Sequence, residues 1–213
     1  MIPALLFAAA LGSGGVASFK ADFPKASALE SKAGGRLVHA SGFTAPDLGD
    51  TPESAARSFL SRYAACFGVT AREELVARTH GQSGRPQALP FERRIDGLPL
   101  FDGDVVVGLD AGNAVTLVNS ADVPAQVTGR AKISRRGAIR AARAALPGLE
   151  GASASRAERG WRAFGDSIRP VWRIDFSAAR PPGDWRSYVD AESGSLLMRV
   201  DLRASGNRGW GRR

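Results

Sequence analysis

Two histidines, His39 and His80, and one cysteine, Cys66, are the only imidazole and thiol groups in the 213 residues. Zinc sites need several such ligands at short spacing, and a disulfide needs a second thiol, so neither is expected within this chain. A metal would have to be held by carboxylates. His39 has no second ligand near it and reads as a half-exposed strand residue, while Cys66 reads as a small buried apolar group. Hydrolysis needs a nucleophile or an activated water with a base beside it. The sequence has no H-E-x-x-H, no G-x-S-x-G elbow, no Walker loop, and no G-x-G-x-x-G following a strand. Asp102 and Asp104 flank Gly103 and could be paired carboxylates or calcium ligands, but the same residues make a solvated turn. Asp166, Asp175 and Asp184 share no fixed spacing. The expectation is therefore a protein without a catalytic centre, cofactor or metal, which acts by binding.

Charge adds a second constraint. There are 29 Lys and Arg against 21 Asp and Glu, a formal net charge of +8. The basic residues are not gathered into one dense stripe along the sequence, and aromatic residues are not interleaved with them as stacking platforms, so solvated surface is expected rather than a nucleic-acid partner.

The elements that must position these residues are legible in part. Met1 to Leu11 is apolar but too short to span a bilayer, and small residues follow up to Ser18. This suits an export signal over residues 1–18, cleaved after Ala17 or Ser18, and a secreted or periplasmic protein with no membrane span once processed. Residues 19–49 have weak periodicity and read as an N-terminal extension, with one strand over Arg36 to Ala40. Thr51 as N-cap, Pro52 at the first helical position, and Glu53 beside the positive helix end then announce a helix. Ala56, Phe59, Leu60, Tyr63 and Phe67 give it one apolar face, and Gly68 ends it. Strands are expected over Glu74 to Gln82 and Leu89 to Ile95, with a tight turn at Asp96-Gly97 and a hairpin of 104–110 with 114–119. Ala121 to Lys132 lacks a period and marks a module boundary. Beyond it Ser134 caps a helix with Ala138, Ile139, Ala142 and Leu146 on one face, stopped at Pro147-Gly148. Strands follow at 160–164 and 171–176, and a hairpin turns through Asp190-Ala191-Glu192-Ser193-Gly194. Both halves thus run helix, strands, hairpin. The fold class is α+β, two modules each with a helix laid on an antiparallel sheet.

Two stretches resemble known families. Phe91-Glu92-Arg93-Arg94-Ile95-Asp96-Gly97-Leu98-Pro99-Leu100-Phe101-Asp102-Gly103-Asp104, with the helix before it, resembles the fungalysin/thermolysin propeptide (FTP) domain over residues 50–124. Ile133-Ser134-Arg135-Arg136-Gly137-Ala138-Ile139, Pro170-Val171-Trp172 and Tyr188-Val189-Asp190-Ala191-Glu192-Ser193-Gly194 resemble a PepSY domain, of cystatin-like fold, over residues 131–204. Residues 205–213 would be a Gly/Arg-rich tail. This order is that of pro-regions in secreted thermolysin-type metalloproteases. The resemblance implies an inhibitor and intramolecular chaperone for a secreted zinc metalloprotease domain, acting in cis as part of a zymogen or in trans. The motif residues that could meet a partner are Phe91, Arg93, Gly97, Leu98, Pro99, Leu100, Gly103, Trp172, Tyr188, Asp190 and Gly194, though Gly97 and Pro99 also suit backbone roles and Phe91, Trp172 and Tyr188 also suit a core. Arg93 stands where those propeptides carry Gln, and Gly137 where a capping Glu is common. The sequence reaches Arg213 without a zinc-binding catalytic domain, so a fragment or a stand-alone form is expected. The rival expectation is a free-standing envelope module that binds another protein or an acidic polymer.

Overall fold

The computed structural model describes residues 15–32, 35–79, 81–145, 152–179 and 182–205. It is a mixed α+β protein, mostly antiparallel sheet with few helices. The chain divides into two compact units, 1–125 and 126–213.

The first unit opens with helix α1 (Val16–Asp22) and strands β1 (Ser27–Glu30) and β2 (Leu37–Ala45). Helix α2 (Pro52–Tyr63) follows and continues as a 3-10 turn over Ala64–Phe67. Then come β3 (Glu73–Ala77), β4 (Gln87–Ile95), β5 (Leu98–Phe101), β6 (Val105–Leu109) and β7 (Val115–Ser120). All pairings are antiparallel: β1 with β2, β2 with β7, β7 with β6, and β6 with β4, whose outer half also carries β3 and β5. Residues 19–49 are therefore not an extension outside the module. Phe19 of α1 is fully buried, with its ring edge-on to Phe43 at 5.3 Å, Tyr63 at 5.6 Å and Phe67 at 5.8 Å. The sequence periodicity is weak there because α1 has only two turns and presents one large side chain to the core. The cleavage position expected after Ala17 or Ser18 falls inside α1, and most of the apolar leader lies outside the described residues.

Helix α2 forms where the capping residues predict. Thr51 accepts from Ser54 N–H at 3.1 Å, and the Ser54 side chain returns the bond to Thr51 N–H at 3.0 Å. Serine thus completes a capping box usually closed by Glu or Gln. Gly68 ends the 3-10 turn at φ +69°. Ala55, Ala56, Phe59, Leu60 and Tyr63 pack on the sheet through Leu89, Phe91, Val105, Val107, Val115 and Val118.

The second unit has helix α3 (Arg135–Ala144) on one face of four antiparallel strands, β8 (Ser153–Phe164), β9 (Ser167–Ala179), β10 (Pro182–Asp190) and β11 (Leu196–Asp201), ending in the short α4 (Leu202–Ser205). Ser134 caps α3 by accepting from Gly137 N–H at 3.2 Å. The expected stop at Pro147-Gly148 lies outside the described residues, as does His80. Ala138 and Ala142 meet Ile174, Phe176 and Val189 in a core much smaller than the first. Strands β8 and β9 are longer than the sequence suggests. Their Arg-rich alternation is half-exposed and carries little hydrophobic contrast, which is the signal a period of two depends on. The expected strand over Glu74 to Gln82 is shorter, stopping at Ala77.

Candidate functional site

The eleven motif residues divide between the two units: seven lie on β4, β5 and the turns at either end of β5, and four lie on β9, β10 and the β10–β11 turn. In the first unit Asp96 (φ +51°) and Gly97 (φ +74°) form the two-residue turn between β4 and β5, with Ile95 opposite Leu98 and Arg94 opposite Pro99. Two consecutive left-handed residues are what a tight hairpin needs, because their twist matches that of the strands. Leu98 and Pro99 are half-buried, while Leu100 is buried. Gly103 is buried against it: a Cβ there would lie 2.5 Å from Leu100 Cγ and 2.6 Å from Cδ2. Phe91 is fully buried, with the Arg57 guanidinium 5.5 Å from its ring centre.

Arg93 is the exception to a purely apolar interior. It is 1% exposed, and its Nη2 donates to Gly68 O at 2.8 Å and to Glu73 Oε1 at 2.9 Å, while Nε donates to Glu73 Oε2. Its Nη1 has no partner among the described residues. The guanidinium thus fastens β4 to β3 and to the carbonyl that ends the α2 segment. Arg in place of Gln is matched by the buried Glu73 carboxylate, a charge-assisted fork that Gln could not make.

In the second unit Trp172 Nε1 donates to Ile133 O at 3.1 Å and pins the chain just before α3. Asp190 is buried, and its Oδ1 accepts from Glu192 N–H and Ser193 N–H, each at 2.8 Å. Gly194 (φ +81°) closes the turn by donating its N–H to Asp190 O at 2.9 Å. The first unit repeats the device: Asp110 Oδ1 accepts from Gly112 N–H at 2.8 Å and Ala114 N–H at 2.9 Å. Tyr188 is buried under the Arg162 guanidinium, 4.2 Å from its ring centre. The structure does not bring these residues into one cluster; each builds backbone or core within its own unit.

The other candidate chemical groups in the first unit are engaged as well. Asp102 sits in a left-handed turn (φ +60°), and Asp104 pairs with Arg78 at 3.1 Å. Burial, with the Glu92 and Asp102 carboxylates nearby, pushes the Asp104 carboxyl above its ordinary value despite Arg78. His39 Nδ1 lies 2.6 Å from Asn119 Oδ1, and Nε2 lies 3.0 Å from Ser41 Oγ. Burial pushes the Cys66 thiol up to about 11, which leaves it a protonated, unreactive group. Among the described residues no three or more His, Cys, Asp or Glu side chains converge as metal ligands. No helix among them is long and apolar enough to cross a membrane.

One feature of the second unit escapes a linear reading. Its residues 126–213 hold 18 Lys and Arg against 8 Asp and Glu, a net +10, whereas residues 1–125 hold 11 against 13, a net −2. That excess is sorted by face. On the sheet face away from α3, Glu158 Oε2 receives Arg156 at 2.8 Å and Arg173 at 2.7 Å, and Arg186 forks onto Asp175 at 2.8 and 2.9 Å. On the helix side Arg135, Arg136, Arg140 and Arg143 are all exposed. Arg159 on β8, opposite Trp172, and Arg199 on β11, over the Trp185 ring at 5.1 Å, extend the same side. None of the six forms an ion pair among the described residues, and Asp201 is the one acid that the described strands turn to this side. Its carboxylate accepts from Arg203 N–H at 2.9 Å. The full stripe was hidden because Arg159 and Arg199 join it only through strand register; the four- and three-residue steps from Arg136 to Arg140 and Arg143, opposite Ala138 and Ala142, were the available signal.

Fold and site together define a class: an α+β protein of helix-on-sheet units whose signature residues build hairpins and whose second unit carries one unneutralised cationic face. No family model and no curated protein matches the chain. Among solved structures it is similar to the Bacillus megaterium YpeB C-terminal domain, at 14% identity over 79% of this chain and 73% of that one, with a TM-score of 0.40. It is also similar to a candidate lipoprotein of Clostridium difficile 630, at 11% identity over 73% of this chain and 95% of that one, with a TM-score of 0.28. Scores of this size assign neither a shared fold nor an activity.

Proposed function

We propose that the chain is an exported, non-catalytic binding protein of the pro-region type, which covers the cleft of a secreted thermolysin-like zinc metalloprotease and assists its folding. The observation that carries this reading is the use of the two resembling stretches. Each contributes a tight hairpin turn to a helix-on-sheet unit, Asp96-Gly97 in the FTP-like stretch and Asp190 to Gly194 in the PepSY-like one, in that order along the chain. Such a protein works through preformed surface. It stabilises the native protease by mass action, since it binds the folded form and not the unfolded one. No proton transfer or covalent step is assigned to it. The test is titration of the purified chain lacking residues 1–18 against a thermolysin-type protease from the same secretome. Saturable inhibition at sub-micromolar concentration supports the reading. Absence of inhibition, with no rescue of the denatured protease on refolding, removes it. The arginine face of the second unit favours one other reading, a free-standing envelope module for an acidic ligand.

A further inference from the structure

From the sorted charge of the second unit we infer that the α3 face is a docking surface, and that its occupant is an acidic, carboxylate-bearing face of a protein partner. Arg136, Arg140 and Arg143 line one side of α3 across seven residue steps, about 10 Å of helix. Arg159 and Arg199 stand on strands to either side, so the positive charge is spread over a broad face rather than confined to a projecting helix. The half-buried acids of the opposite sheet face, Glu158 and Asp175, are paired with Arg156, Arg173 and Arg186, so they do not neutralise these cations.

The character of the face selects among polyanions. A membrane-bound helix needs apolar side chains to insert, and Ala138 and Ala142 are fully buried while Leu29 and Met198, the exposed large hydrophobics, lie elsewhere. Single-stranded nucleic acid needs exposed aromatic platforms, but Trp172 is tied to Ile133 O and Trp185 lies under Arg199. An array of guanidinium forks suits carboxylates presented by a protein surface, where arginine is enriched and can bind both oxygens at once. The Arg186–Asp175 fork shows that geometry within the same unit.

The inference rests on the proposed function only in taking the partner to be a protein, and its test contains no protease, so failure of inhibition leaves it standing. Full-length chain is titrated with fluorescent poly-L-glutamate, and separately with polyphosphate, duplex DNA and phosphatidylglycerol vesicles at equal charge. The expected result is binding to poly-L-glutamate at least as tight as to the other three, weakening steeply from about 50 to 200 mM salt. The variant R136E/R140E/R143E should bind about tenfold or more weakly, with an unchanged circular dichroism spectrum, because rim charges act directly on association. A matched reversal in the first unit, K25E/R72E/R85E, should change binding less than about twofold. Equal loss in both triple variants would overturn the assignment of the face. Clearly tighter binding to phosphate polymer, duplex or vesicles would overturn the assignment of the occupant.

Discussion

At the scale of single residues, the buried Arg93–Glu73 pair is the most exacting arrangement in the protein, since both side chains are almost fully buried. Removing one partner strands a charge that burial has already desolvated. Arg93→Gln, the residue usual in the resembling propeptides, is expected to destabilise the first unit by about 3–5 kcal/mol. The double variant R93Q/E73Q should recover much of that loss, because two neutral amides replace an ion and its orphan. Urea denaturation followed by circular dichroism checks both, and equal stabilities of the single and double variants would refute the account. Cys66 supplies a second residue-level expectation. Its thiol is fully buried and its pKa is raised by burial, so thiol reagents at pH 8 should leave it unmodified until the first unit unfolds. Cys66 as a buried apolar group was legible in the sequence because a lone thiol has few other uses. The Arg93–Glu73 pair was not, because 20 residues separate its members and only the β3–β4 pairing of Leu75 with Arg93 brings them together.

At the scale of elements, the hairpins and the strand faces carry separate predictions. Gly103→Ala would place a methyl group against the Leu100 side chain, which is buried and cannot swing into solvent. The expected cost is about 1–3 kcal/mol, read from the urea midpoint, and a neutral substitution would mean that the β5–β6 turn is not tightly packed. On the charged sheet face, hydrogen bonds from Arg186 hold the Asp175 carboxyl below the ordinary aspartate range, against an opposing effect of burial. A depressed native pKa adds stability that is present above the unfolded value and is lost as pH falls through the native one, so this pair weakens only below roughly pH 3.9. Arg186→Met should raise the Asp175 pKa in a carbon-detected NMR titration and shrink that acid-side loss, because the native value moves up toward the unfolded one. Helix α2 was legible because Thr51, Pro52 and Gly68 each have a local conformational reason to stand where they do. The charge ladder of β8 to β10 was not, because face assignment depends on register between strands, which composition does not encode.

At the scale of the whole molecule, the two units differ in the depth of their cores as well as in charge. The first buries an aromatic cluster of Phe19, Phe43, Phe59, Tyr63 and Phe67, while the second buries mainly alanines against Ile174, Phe176 and Val189. Stabilisation by burial scales with apolar area, so the second unit should be the weaker one. The sequence places reporters conveniently. All four tryptophans, Trp161, Trp172, Trp185 and Trp210, fall in residues 126–213, and the one thiol falls in residues 1–125. Tryptophan fluorescence therefore follows the second unit, and Cys66 reactivity follows the first. In a urea titration the fluorescence midpoint is expected at the lower concentration, with thiol exposure following. High salt should raise the fluorescence midpoint and leave the thiol midpoint nearly unmoved, because screening relieves self-repulsion in a unit of net +10 but changes little in one of net −2. Coincident midpoints that shift together with salt would show instead that the chain unfolds as one cooperative body, with the small second core borrowing its stability from the first.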